Sequence, residues 1–164
     1  RVAVGGDSAG GSLAAVVAQT ARDAGGPAPV LQWLLYPVTD CAATTRSRSL
    51  FATGFLLRRS DMDWFQAQYL HGSDLAPDDP KVSPARAADL SGLAPALIVT
   101  AGFDPLRDEG EQFAAALAAA GTAVDLRRMG ELTHAFANLF PLGGGSATAM
   151  TEVISALRAH LSRA

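Results

Sequence analysis

One cysteine, Cys41, occurs in 164 residues, which leaves no internal disulfide framework and no cysteine-based zinc site. That scarcity permits a reducing compartment, and a cytoplasmic location is the expectation. No apolar run is long enough to span a membrane, since the longest are strand-length or belong to interrupted Ala-rich helices. With a net charge of −3 and no dense basic run, nucleic acid is a poor candidate partner. The one basic cluster, Arg46, Arg48, Arg58 and Arg59, reads as a solvated loop face rather than an anion site. Internal repeats and low-complexity tracts are missing as well, apart from the glycines at 143–145. No secretion signal is visible, but residues 1–4 (RVAV) read as the inside of an element. Targeting is therefore not legible.

At 49% hydrophobic and 18% charged residues, the chain can bury the core of one globular domain. Residues 2–4 form a short apolar run ending in Gly5-Gly6, as a buried strand entering a tight turn would. Leu13, Val16, Val17, Thr20 and Ala21 follow at helical spacing, and Gly25-Gly26-Pro27 stops that helix. A second strand is expected at 30–36 (VLQWLLY) and a third at 96–101 (ALIVTA). The next helix carries Phe113, Ala116, Leu117 and Ala120, with Gly121 as its C′ residue. Val124, Leu126 and Met129 mark a last strand, and Met150, Val153, Ile154, Leu157 and Leu161 a closing amphipathic helix. Strands alternating with helices imply a three-layer α/β fold, about four parallel strands with helices on both faces. Residues 38–94 are too long for a plain crossover and are expected to contribute a lid or pocket wall. They include a helix over 60–69, capped by Ser60 with Asp63 at N3. Its Met62, Trp64, Phe65 and Tyr69 suit either a lid over an apolar ligand or packing onto the sheet.

The segment GDSAGG at 6–11 contains Gly-x-Ser-x-Gly between an expected strand and an expected helix. Such a turn strains Ser8 and leaves no room for side chains at Gly6 and Gly10. It lifts the Ser8 hydroxyl off the sheet, with Asp7 beside it, and aims the Ala9 N–H at the oxygen of an attacked carbonyl. A glycine-rich turn with an N-capping serine is the plainer alternative among 16 glycines. A phosphate loop fits worse, because the lysine of GxxxxGK[ST] is missing.

A serine nucleophile requires a base and a carboxylate that orients it. Asp104 follows the third strand and His134 the fourth, which places all three groups at the carboxyl ends of parallel strands. Ser, Asp, His is also the chain order of α/β hydrolases. Asp104 before Pro105 could equally be a helix N-cap, and His134 a packing histidine. The chain's other two histidines, His71 and His160, are poorly placed for the role.

With GDSAGG at 6–11, DPLRDEG at 104–110, THAF at 133–136 and DPKVSPA at 79–85, the chain resembles the bacterial esterases related to hormone-sensitive lipase. The resemblance implies Ser8 as nucleophile, Asp104 as acid, His134 as base and Asp108 as a supporting carboxylate near the histidine loop. It also implies hydrolysis of short- to medium-chain acyl esters, small-molecule substrates, without a cofactor. In two places the pattern is broken. Ala135 stands where the family usually has glycine, and the family's upstream His-Gly-Gly-Gly segment, source of further oxyanion donors, is not in these residues. The expectation is therefore a partial catalytic domain whose remaining half lies in other residues or another chain, or which pairs with a second copy. By itself it would be a weak catalyst or inactive. A peptidase or amidase on the same fold, or a non-catalytic ligand-binding relative, are the rivals.

Overall fold

The computed structural model describes residues 1–163. Four strands, β1 (Val4–Asp7), β2 (Gln32–Leu35), β3 (Ala96–Phe103) and β4 (Val124–Thr133), pair in the order β1-β2-β3-β4, and every pair is parallel. Helices α1 (Ala9–Asp23), α2 (Arg46–Leu50), α3 (Arg59–Tyr69), α4 (Arg107–Ala119) and α5 (Gly144–Arg163) complete the fold. Parallel strands need crossovers that cover both sheet faces, and side-chain alternation divides the core accordingly. Leu34, Ile98 and Ala96 point toward α1 and α4, where Ala14, Ala15, Phe113 and Leu117 meet them. Leu35, Leu97 and Val99 point the other way, onto Ala149, Val153 and Ala156 of α5.

Helix α1 closes on Gly25 at φ +63, whose N–H goes to the Arg22 carbonyl while that of Gly26 goes to Ala21. Helix α4 closes the same way at Gly121, φ +90, as expected. The face that α1 buries is not the expected one. Gly11, Ala14, Ala15, Ala18 and Gln19 are buried, whereas Leu13 and Val17 are both 51% exposed. The reason is distance. The helix starts directly at the nucleophile turn and lies so close to the sheet that a Cβ on Gly11 would come within 2.9 Å of Pro37 Cβ. Only small residues fit that face.

The apolar stripes of α4, α5 and β4 are likewise narrower than the sequence pattern. Phe113 and Leu117 are buried, with Ala116 and Ala120 at the margin. In α5, Val153 is buried but Ile154 and Leu161 are 40% and 43% exposed. In β4 only Met129 is buried. The cap of helix α3 is Arg58, two residues earlier than expected. The Asp61 carboxylate accepts the Arg58 N–H at 3.0 Å and pairs with the Arg58 guanidinium, while Asp63 pairs with Arg59. Ser60 and Asp63 are therefore not the cap. No residue of α3 is buried. No helix among the described residues is long and apolar enough to cross a membrane.

Candidate active site

The residues after β1 turn sharply into α1, and Ser8 sits in the turn at φ 53, ψ −117. A serine in this region carries about 1–3 kcal/mol of strain, sustained only where surrounding contacts over-determine it. Those contacts are visible. The Ser8 N–H donates to the Leu35 carbonyl at 2.9 Å, and the Ser8 carbonyl accepts from Ser12 and Val38, each at 3.2 Å. A Cβ on Gly6 would overlap the Gly10 backbone, so the chain there must be glycine. Gly10 is different: a Cβ would meet nothing nearer than Asp7 Oδ1 at 3.9 Å. The space around residue 10 therefore does not itself demand glycine, which corrects the expectation.

His134 Nε2 lies 2.9 Å from Ser8 Oγ, and His134 Nδ1 lies 2.8 Å from Asp104 Oδ2. Asp104 is fully buried and His134 nearly so. The other Asp104 oxygen, Oδ1, accepts the Leu106 N–H at 2.8 Å. This local turn is the cap-like role the Asp-Pro pair suggested, and one carboxylate serves both roles at once. Ala9 is the first residue of α1, so its N–H has no acceptor within the helix. It lines the same cavity as the Ser8 hydroxyl.

That cavity has a volume of about 450 Å³, within the range of small-molecule sites. Met62, Phe65 and Tyr69 of α3, with Leu13, Val38 and Val82, supply much of its wall. A smaller cavity of about 300 Å³ is also lined by His134, with Leu57 and Phe65 likewise shared between the two.

Asp108 is placed differently from the sequence reading. It is directed onto the start of α2, accepting the Ser47 N–H at 2.8 Å and pairing with Arg107 at 2.9 Å. It supports that helix, not the histidine loop. The neighbouring Glu109 is the one that turns inward. Its Oε2 is 2.7 Å from Arg48 Nε, and its Oε1 accepts from the Thr39 and Asp40 N–H groups. Arg48 also donates to the Asp40 carbonyl at 2.7 Å and borders the larger cavity. Burial pushes the Glu109 carboxyl above its ordinary value, against the opposing pull of Arg48 and the two backbone N–H groups. Arg48 is thus a buried ion-pair partner and not part of a solvated face. Arg58 and Arg59 do lie at the surface. Glu109 was findable in the sequence: it stands four residues before Phe113 and eight before Leu117, on the apolar stripe of α4.

Among the described residues four non-glycine residues have positive φ: Ser8, Tyr36, Leu56 and Ala135. Leu56 and Ala135 line the smaller cavity, and Tyr36 packs on His134 with ring centroids 4.8 Å apart. Strained backbone is therefore gathered at this site. Ala135, at φ 60 and ψ 18, pays the left-handed penalty that a glycine would avoid. Ala135→Gly should raise stability by about 1 kcal/mol after the greater freedom of glycine in the unfolded chain is offset. Denaturant titration of the two proteins measures it.

A family profile described as alpha/beta hydrolase fold matches residues 1–138. The carboxylic ester hydrolase LipN of Mycobacterium tuberculosis is 69% identical, over 99% of this chain and 44% of its own length. The carboxylesterase NlhH of the same species is 41% identical, over 98% of this chain and 51% of its own. Among solved structures, a thermostable esterase from Pseudomonas putida superposes with a TM-score of 0.88 at 43% identity, over 97% of this chain and 51% of that one. DphMB1 superposes at 0.89 with 40% identity, over 98% and 53%. The chain thus spans about half the length of the relatives it matches. With its parallel sheet, its strained serine turn and these matches, the chain belongs to the α/β-hydrolase family, in the hormone-sensitive-lipase-like branch.

Proposed function

We propose that these residues carry the nucleophile, base and acid of a serine carboxylic-ester hydrolase acting on short- to medium-chain acyl esters. The observation that supports it most is the unbroken line from Ser8 Oγ through the imidazole to Asp104, with bonds of 2.9 and 2.8 Å beside a largely apolar cavity. In this reading Ser8 Oγ attacks the ester carbonyl as its proton passes to His134 Nε2. Asp104 keeps Nδ1 protonated and stabilises the imidazolium. The Ala9 N–H bonds the developing oxyanion. Nε2 then protonates the departing alkoxide, leaving an acyl-enzyme. A water that gives its proton to Nε2 attacks this ester, and collapse of the second tetrahedral intermediate returns the Ser8 hydroxyl and releases the acid. Likeness to a carboxylic ester hydrolase and a carboxylesterase favours esters over amides, and an intact triad speaks against a non-catalytic binding role. Residues 38–94 form the pocket wall in this proposal, within one catalytic domain.

We also propose that the described residues work as part of a larger catalytic unit, supplied by further chain, another chain or a second copy. Three features support this. Among the described residues β1 pairs on one side only. Val2, Leu13 and Val17 leave apolar surface uncovered. Among the described residues Ala9 is the one oxyanion donor identified at the site. Loss of one such donor costs about 10²–10³ in rate. Residues 1–164 expressed alone should therefore hydrolyse p-nitrophenyl butyrate about 10²–10³-fold more slowly than the intact protein. Equal turnover by the two would contradict it.

A further inference from the structure

We infer that Tyr36 is the positioning residue that holds the His134 imidazole in line with the Ser8 hydroxyl; this rests on the hydrolase reading above. Hydrogen bonds at Nδ1 and Nε2 hold the two nitrogens, but alone they resist only weakly a rotation about the Cβ–Cγ bond that would swing Nε2 out of line with Ser8 Oγ. A packed neighbour must stop that motion. The Tyr36 ring meets the imidazole at a 61° interplanar angle with centroids 4.8 Å apart, an edge-to-face contact. It is backed by Phe136 at 5.3 Å and is itself 1% exposed. His134 and Phe136 flank Ala135, so Tyr36 grips the histidine loop on both sides of its left-handed residue.

The same residue is tied to the nucleophile. Its neighbours hold Ser8 from both sides, since Leu35 accepts the Ser8 N–H and Val38 donates to the Ser8 carbonyl. Between them Tyr36 has φ +35, an outlier for a bulky side chain, and its own N–H is fixed on the Val99 carbonyl at 2.6 Å. A core tyrosine needed only for its volume would not require such a backbone. Here the strained turn delivers the ring to the base while its flanks clamp the nucleophile. The hydroxyl is not the part that meets the imidazole: the ring makes that contact, and Oη lies by the Asp7 carboxylate and the Ala137 backbone. Burial, with the Asp7 carboxylate nearby, pushes the phenol well above its ordinary value, so it stays protonated.

The test compares Tyr36→Phe and Tyr36→Leu with Ser8→Ala in the intact protein, on p-nitrophenyl butyrate. Tyr36→Leu should lower kcat by about 10- to 100-fold, as expected for a misplaced reacting group, with KM changed by less than about threefold. Tyr36→Phe should keep both constants within about threefold, since it retains the ring that meets the imidazole. Where Tyr36→Leu does not fold, Tyr36→Met is read the same way. An unchanged kcat in the folded Leu or Met variant, or a loss carried by KM, overturns the inference. So does a loss of kcat above tenfold in Tyr36→Phe. The hydrolase reading fails separately, if Ser8→Ala keeps its activity.

Discussion

Replacing Ser8 by alanine in the intact protein should lower kcat for a p-nitrophenyl ester by about 10⁶-fold, and His134→Ala should cost about as much, because the two act as one unit. The effects should not add: the double variant is expected to match either single one. Asp104→Asn is expected to cost about 10⁴-fold. That carboxylate sits 2.8 Å from Nδ1 and is fully buried, so an amide there favours the tautomer in which Nε2 carries the proton and can no longer accept one from Ser8. Steady-state kinetics with titration of active sites measures all of these. Activity in Ser8→Ala within tenfold of the parent would remove the nucleophile from the proposed chemistry.

The second large effect is on stability. Arg48 and Glu109 expose only 6% and 1% of their side chains, and truncating one partner leaves the other's charge buried and unpaired. Arg48→Ala should destabilise the fold by about 3–5 kcal/mol, and Arg48→Met with Glu109→Gln, whose amide oxygen can still accept the Thr39 and Asp40 N–H groups, should recover most of that. The deficit should also depend on pH. Without Arg48 the buried Glu109 binds its proton still more tightly than the unfolded chain does. A carboxyl whose folded pKa is raised in this way is least costly below its unfolded value of about 4.3. Its penalty grows as pH rises from there toward the folded pKa and is fully present above it. Denaturant unfolding of Arg48→Ala from pH 4 to pH 8 should therefore show a widening gap from the parent. A gap below 1 kcal/mol, or one that narrows toward pH 8, would mean that the pair is not what holds residues 38–48 to α4.

Legibility in the sequence followed the physics of each element. The alternation of strands and helices, the glycine stops at Gly25 and Gly121, and the three residues now found hydrogen-bonded together were readable because each rests on local chemistry or chain order. The buried face of α1 was not, since Leu13 and Val17 satisfy helical spacing while tertiary distance decides that alanine and glycine face the sheet. Asp108 and Glu109 are adjacent carboxylates that sequence alone could exchange, and only the helix phase set by Phe113 and Leu117 separates them. For Tyr36 no sequence signal existed: a residue before proline is expected to be extended, and φ +35 arises from its placement between Ser8 and His134.

The most direct measurement is covalent. A fluorophosphonate probe reacts with a serine only where a base activates its hydroxyl and donors receive the phosphoryl oxygen. Incubated with the intact protein and mapped by peptide mass spectrometry, it should label Ser8 stoichiometrically, and His134→Ala should abolish the labelling. A folded, intact protein that remains unlabelled at Ser8, or that is labelled at another serine, would contradict the assignment.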